Sequence, residues 1–137
     1  MARAKGDFVV TLTPQSTDEI TGASTVARLA IDKQFTGDLI GVSKGEMLSA
    51  GTPVKGSAGY VAIERVTGAL HGRAGTFVLQ HSGTMTRGSP QLTVSVVPDS
   101  GSGELTGLTG TMRIIIEGKR HSYEFDYAFD YALGMNV

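Results

Sequence analysis

A spacing of glycines and leucines that recurs three times constrains this chain more than any other feature. Gly103-Glu-Leu105-Thr-Gly107-Leu-Thr-Gly110-Thr-Met112 sets glycine, leucine, glycine, glycine and a large apolar residue at fixed offsets. Gly68-Ala-Leu70-His-Gly72-Arg-Ala-Gly75-Thr-Phe77 repeats them. A looser copy begins at Gly37-Asp-Leu39-Ile-Gly41 and reaches Gly45 and Met47 one residue late. Glycine allows positive φ or a close backbone approach, and the leucine ties the segment to a core. Each copy is expected to be a corner where one strand hands over to the next. The repeat speaks to architecture and not to chemistry.

Between these corners the polarity alternates with a period of two. Asp7 to Thr13 carries Phe8, Val10 and Leu12 on one face, and Pro14 is expected to end that strand, with Gln15 to Gly22 as a polar loop. From Ser24, the residues Ala27, Leu29, Ile31, Lys33 and Phe35 share a face. Leu39 to Leu48 reads as a strand interrupted at Gly41 and Gly45, and Ala50 to Gly59 as a loop. Tyr60, Ala62, Glu64 and Val66 then oppose Val61, Ile63 and Arg65, and Phe77, Leu79, His81 and Met85 form one side of the following strand. Leu92, Val94 and Val96 precede the glycine-rich loop opened by Pro98, and Met112, Ile114 and Ile116 align after it. Tyr123, Phe125, Tyr127, Phe129 and Tyr131 all face one way. These are about eight strands with no helical periodicity. The expected fold class is all-β, a single antiparallel eight-stranded closed barrel, because closure removes exposed edges. A two-sheet sandwich is the competing architecture.

At 137 residues the chain is read as one domain spanning 1–137. Twelve basic residues against thirteen acidic ones leave a net charge of −1, so no nucleic acid and no acidic membrane surface is expected as partner. The one basic run, Lys119-Arg120-His121, follows Gly118 and reads as a hairpin tip. With no cysteine there is no disulfide or thiolate chemistry. The charged start Met1-Ala-Arg-Ala-Lys-Gly-Asp7 has no apolar run behind it, and no stretch approaches the ~20 apolar residues of a membrane helix. A soluble, cytoplasmic protein is expected.

Ser100-Gly-Ser-Gly-Glu-Leu-Thr-Gly-Leu-Thr-Gly110, ahead of an apolar strand, resembles the Gly-Ser-Gly-x-Phe-x-Gly-x-x-Gly signature of allene oxide cyclase and dirigent proteins, which are eight-stranded antiparallel barrels. The whole chain is similar to a bacterial domain-of-unknown-function family assigned to the allene-oxide-cyclase-like barrels. The stretches that carry this are Ile31-Asp-Lys-Gln-Phe-Thr-Gly-Asp-Leu39, Gly45-Glu-Met47, Gly59-Tyr-Val-Ala-Ile-Glu-Arg65, Gly75-Thr-Phe-Val-Leu-Gln-His-Ser-Gly-Thr84 and His121-Ser-Tyr-Glu-Phe-Asp-Tyr127. The resemblance implies a fold, since that family has no agreed activity. The cyclase works through an early-strand glutamate and a bound water. Thr11-Leu-Thr-Pro-Gln15 holds no acid, so that mechanism does not transfer.

Two residues are candidates for catalysis. Glu64 is flanked by apolar residues on both faces; pointing inward it would lose water, its pKa would rise, and it could serve as acid or base. Pointing outward it would pair with a cross-strand base. His81 continues the apolar line of Phe77 and Leu79, as a proton-transfer group or as a buried histidine satisfied by one partner. Four residues are candidates for ligand binding. Lys33 shares the face of Leu29 and Ile31, either buried and reactive or snorkelling its amine into water. Tyr60 lies on the face of Glu64. Tyr123 and Tyr127 offer pocket hydroxyls if their stripe faces inward, although such aromatics also fill cores and interfaces. His71, His81 and His121 are too far apart in sequence to start a coordination sphere, so no metal is expected, and no cofactor.

Whether the protein is an enzyme stays open. One reading is a barrel that binds a small apolar molecule in its interior, with isomerase- or cyclase-like proton chemistry. The alternative is a solid-packed, non-catalytic oligomeric module for structure or interaction. Apolar residues on both faces of several strands point to a homo-oligomer, a dimer or trimer.

Overall fold

The alternating segments form nine antiparallel strands in the computed structural model, which describes residues 1–130. They are β1 (Ala2–Asp18), β2 (Thr25–Phe35), β3 (Leu39–Gly51), β4 (Ala58–Leu70), β5 (Arg73–Thr86), β6 (Ser89–Val96), β7 (Ser102–Gly103), β8 (Leu108–Glu117) and β9 (Arg120–Phe129). Neighbours run β4-β3-β2-β1-β9-β8-β6-β5, and β4 also pairs with β5. The sheet therefore closes on itself as an eight-stranded antiparallel barrel, with β7 as a short extra strand on β5. Long ladders join most neighbours, thirteen paired positions in β3–β4 and thirteen in β4–β5. The β6–β8 seam is different: Ser95 opposite Thr111 is its one paired position.

The first strand departs from the sequence expectation. It starts at Ala2, because Ala2 to Phe8 pair with Tyr127 to His121 of β9, and it runs past Pro14 to Asp18. Beyond Phe8 its ladder is with β2 alone, and an irregularity between Pro14 and Ser16 absorbs the proline, which has no N–H to donate. The first half of the expected loop from Gln15 is therefore strand. Gly41 and Gly45 likewise interrupt nothing, since β3 passes straight through both. Gly118-Lys119 does form the hairpin turn, and Arg120 beyond it bonds to the Asp7 carboxylate at 3.0 Å. Tyr131, the last of the aromatic line, lies outside the described residues.

The repeated glycines meet one another. Gly41 pairs with Gly68, Gly68 with Gly75, and Gly75 with Gly103, so members of all three copies form one row across β3, β4, β5 and β7. A Cβ on Gly68 would stand 2.2 Å from the Ile40 carbonyl oxygen and 2.7 Å from the Gly41 Cα. Only bare backbone lets strands approach that closely. Two of the turns fall at the equivalent glycine of their copies, Gly72 and Gly107, and the third at Gly37, the first glycine of the looser copy; all three have positive φ. The expectation of one corner per copy holds, with the looser copy turning four residues earlier in the repeat. The three leucines do behave alike: Leu39, Leu70 and Leu105 are each fully buried.

The row lies toward one end of the barrel, and that end is packed solid. Phe35, Leu39, Leu70, Phe77, Leu108 and Phe125 fill it, and the crossing segment between β6 and β8 caps it with Leu105. Phe77 and Phe125 stack at 5.8 Å with nearly parallel rings. The opposite end carries smaller inward residues, such as Ser49, Ala62 and Gly83, and stays hollow.

Gly68→Ala is expected to destabilise the fold by about 2–3 kcal/mol through this clash. Gly51→Ala, where an added Cβ meets nothing within 4 Å, should stay within about 0.5 kcal/mol of wild type. Urea denaturation of both variants checks the contrast; equal losses would refute the row's role.

Candidate functional site

The hollow end encloses a cavity of about 620 Å³ lined by side chains from β1 to β6, β8 and β9. Its walls are mainly apolar, including Phe8, Val10, Ile31, Leu92 and Ile114. Its rim lies beside the β3–β4, β5–β6 and β8–β9 connections, where Met85 and Ile116 are exposed. Four polar side chains of the lining form one cluster, Lys33 from β2, Tyr60 and Glu64 from β4, and His81 from β5; Ser49, Thr84, Gln91 and His121 also border the cavity.

Lys33 reaches Glu64 across an intervening strand. The inward positions of β3 at that level are Ser43 and Gly45, and Gly45 faces Glu64 in the ladder. Their small size leaves the lysine stem a path, and Lys33 Nζ donates to Glu64 Oε2 at 2.7 Å. The ammonium also sits 4.9 Å from the Phe8 ring centre, a cation–π contact. Lys33 does not snorkel: its side chain is only 7% exposed and Glu64 is 0% exposed.

His81 Nε2 approaches the same carboxylate oxygen at 3.0 Å, and His81 Nδ1 lies 3.2 Å from the Tyr60 hydroxyl. His81 pairs with Ala62, one step from both Tyr60 and Glu64 along β4, so the imidazole can bridge them. Gly83 stands opposite Tyr60, and a Cβ there would lie 2.7 Å from the tyrosine ring. That glycine makes room for the ring to lean toward His81. The result is a continuous chain, Lys33–Glu64–His81–Tyr60, with only Tyr60 partly exposed.

Burial alone would push the Glu64 carboxyl up, as the sequence reading expected. The hydrogen bond from His81 and the charge and hydrogen bond of Lys33 together outweigh burial, and the net shift is below the ordinary value of 4.5. Glu64 is thus a carboxylate, suited to accept a proton and to hold the Lys33 ammonium, and not to act as a resting acid. Tyr60 moves up, through burial first and then the charge of Glu64, so its phenol keeps its proton. Among the described residues, Glu64 Oε1 and the Ser43 hydroxyl are buried with no hydrogen-bond partner. A network satisfied on one carboxylate oxygen and open on the other costs stability.

Tyr123 and Tyr127 are inward, as the stripe requires, but do not line the cavity; they belong to the packed end. The Tyr123 hydroxyl accepts from Leu39 N–H at 2.9 Å and donates to the Thr36 carbonyl at 2.8 Å, which fixes the β2–β3 turn. The Tyr127 hydroxyl is bonded to His71 Nδ1. Both hydroxyls are engaged within the protein, and neither tyrosine, expected as a ligand contact, is part of the cavity lining. No group of three or more His, Asp or Glu side chains is placed to hold a metal ion among the described residues. Sequence reasoning missed Phe8, Ala62 and Gly83 as parts of the site, because a small or apolar residue at an inward position carries no signal of its own until the strand register is known.

Residues 4–127 match the model of a family described as protein of unknown function, DUF3224. The chain belongs to this DUF3224 family. It is also similar to the crystal structure, at 1.84 Å resolution, of a protein of unknown function from the same family in Shewanella oneidensis MR-1. The two are 55% identical over 95% of this chain and 98% of that one, with a TM-score of 0.91. No curated protein matches the chain. The family relation therefore carries the barrel and supplies no activity.

Glu64→Gln leaves the Lys33 ammonium buried without an anion and is expected to cost about 3 kcal/mol at pH 7. Adding Lys33→Met should recover most of that loss, since no buried charge remains. Because the folded Glu64 pKa lies below its ordinary 4.5, its contribution is complete above that pH and is lost as pH falls through the lower folded value. The gap between wild type and Glu64→Gln should therefore shrink in acid. Denaturant midpoints at pH 7 and pH 4 read both effects.

Proposed function

We propose that this DUF3224 protein binds a small, largely apolar molecule in the hollow end of its barrel. The observation that carries the reading is a cavity of about 620 Å³, inside the range of roughly 300–1,000 Å³ typical of ligand sites, with apolar walls and one buried polar cluster. A solid-packed interior does not accord with that volume. We read the barrel as allene-oxide-cyclase-like; the eight-stranded closure and the glycine signature at 100–110 support that kinship.

An isomerase- or cyclase-like extension rests on the same cluster. Glu64 and His81 are buried and linked, at 0% and 4% side-chain exposure, and Glu64 is held ionised. The cluster has the parts of a proton relay, in which an imidazole is oriented by a carboxylate.

A homo-oligomer is proposed on a separate observation. Leu48 and Val61 face each other across β3–β4 on the outer surface, with Ile63 two residues along, and each is about half exposed. Such a contiguous apolar strip favours cover by a second copy.

Native mass spectrometry of gently purified protein, with titration of the apolar dye N-phenyl-1-naphthylamine, tests the binding reading. Wild type should enhance the dye's fluorescence with a Kd of roughly 10 µM or below, and Ala62→Phe, which fills the interior beside His81, should weaken it at least about tenfold. A flat titration together with no retained mass would end the proposal. Light scattering coupled to size exclusion should give a mass above the 14.3 kDa of one chain. Val61→Glu should shift it toward the monomer; a wild-type monomer would rule the assembly out.

A further inference from the structure

We infer that Tyr60 sets the specificity of the cavity by accepting a hydrogen bond from the ligand, so that the ligand is a neutral, largely apolar molecule bearing a hydroxyl or N–H donor. The inference rests on the proposed binding role of the cavity and adds the chemistry of what enters it.

Donor and acceptor roles are handed outward along the cluster. Glu64 Oε2 already accepts from the Lys33 ammonium at 2.7 Å, so that oxygen presents a lone pair to His81 Nε2 at 3.0 Å. The nitrogen facing a lone pair must carry the hydrogen. A neutral imidazole protonated at Nε2 has a bare Nδ1, and the partner of Nδ1 is the Tyr60 hydroxyl at 3.2 Å. Tyr60 therefore spends its single O–H on His81. What its oxygen has left to show the cavity is lone pairs.

Charge decides the rest. Lys33 is the one ammonium or guanidinium among the residues that line the cavity, and Glu64 neutralises it within hydrogen-bond distance. An anionic ligand finds no uncommitted ammonium or guanidinium in that lining, and a cationic one finds the carboxylate buried behind Lys33 and His81. A bare carbonyl would set its oxygen against the Tyr60 oxygen with no proton between them. An alcohol, phenol, amide or indole N–H completes the chain.

Two measurements test this, one without any ligand. In wild type, ¹⁵N-detected NMR should show neutral His81 as the Nε2–H tautomer, and a Nδ1–H tautomer would overturn the inference while leaving the cavity reading intact. The second compares 1-tetralol with 1-tetralone, near-equal in size, by displacement of N-phenyl-1-naphthylamine. Wild type should favour the alcohol by about tenfold. Tyr60→Phe should bind both and lose the preference, bringing the ratio to about one. Equal affinities in wild type, or a preference that survives Tyr60→Phe, would overturn the assigned role of Tyr60 alone. Failure of both compounds and the dye to bind would overturn it together with the binding proposal.

Discussion

The molecule depends on a place where side chains are missing. Where Gly41, Gly68, Gly75 and Gly103 face one another across four strands, a single Cβ would run into neighbouring carbonyl oxygens. Bare backbone there lets the strands pack close at the end that leucines and aromatic rings fill. The opposite end, with Ser49, Ala62 and Gly83 turned inward, keeps the cavity.

The polar cluster sits in the hollow half, beyond the packed end. Its inner members have almost no access to water, so their interactions with one another fix their protonation states. The His81 hydrogen bond and the Lys33 ammonium hold Glu64 ionised against its burial, Glu64 in turn orients His81, and His81 engages the hydroxyl of Tyr60. Order is passed from the most buried residue to the one best placed to meet a guest. A partly unsatisfied buried carboxylate lowers stability, and this one lines the cavity.

Much of the fold was legible in the sequence, because period-two alternation and glycine spacing are local signals. The eight barrel strands and their closure follow from them, and so do the shared face of Tyr60 with Glu64 and that of His81 with Phe77, but which face of each strand points inward does not. Pro14 misled, since a proline ends a strand only where its missing N–H would be needed, and β1 there has β2 alone beside it. Lys33, Glu64 and His81 could each be named as a candidate, but not as partners. They lie on three strands, and only the register, with Ser43 and Gly45 leaving a gap on the strand between, brings Lys33 to Glu64. Tyr123 and Tyr127 could not be told from Tyr60 by pattern. All three face inward, and what separates them is which end of the barrel they occupy.

The seam between β6 and β8, joined at Ser95 and Thr111 alone, gives this cylinder an uneven stiffness. Leu92 and Ile114 border the cavity on the inside of that seam and a shallow surface groove on its outside. Everywhere else, widening the barrel means breaking a ladder of many bonds; here it means breaking one bridge. The seam is therefore the side on which this wall has least to hold it, while the glycine-bound end is held by its ladders.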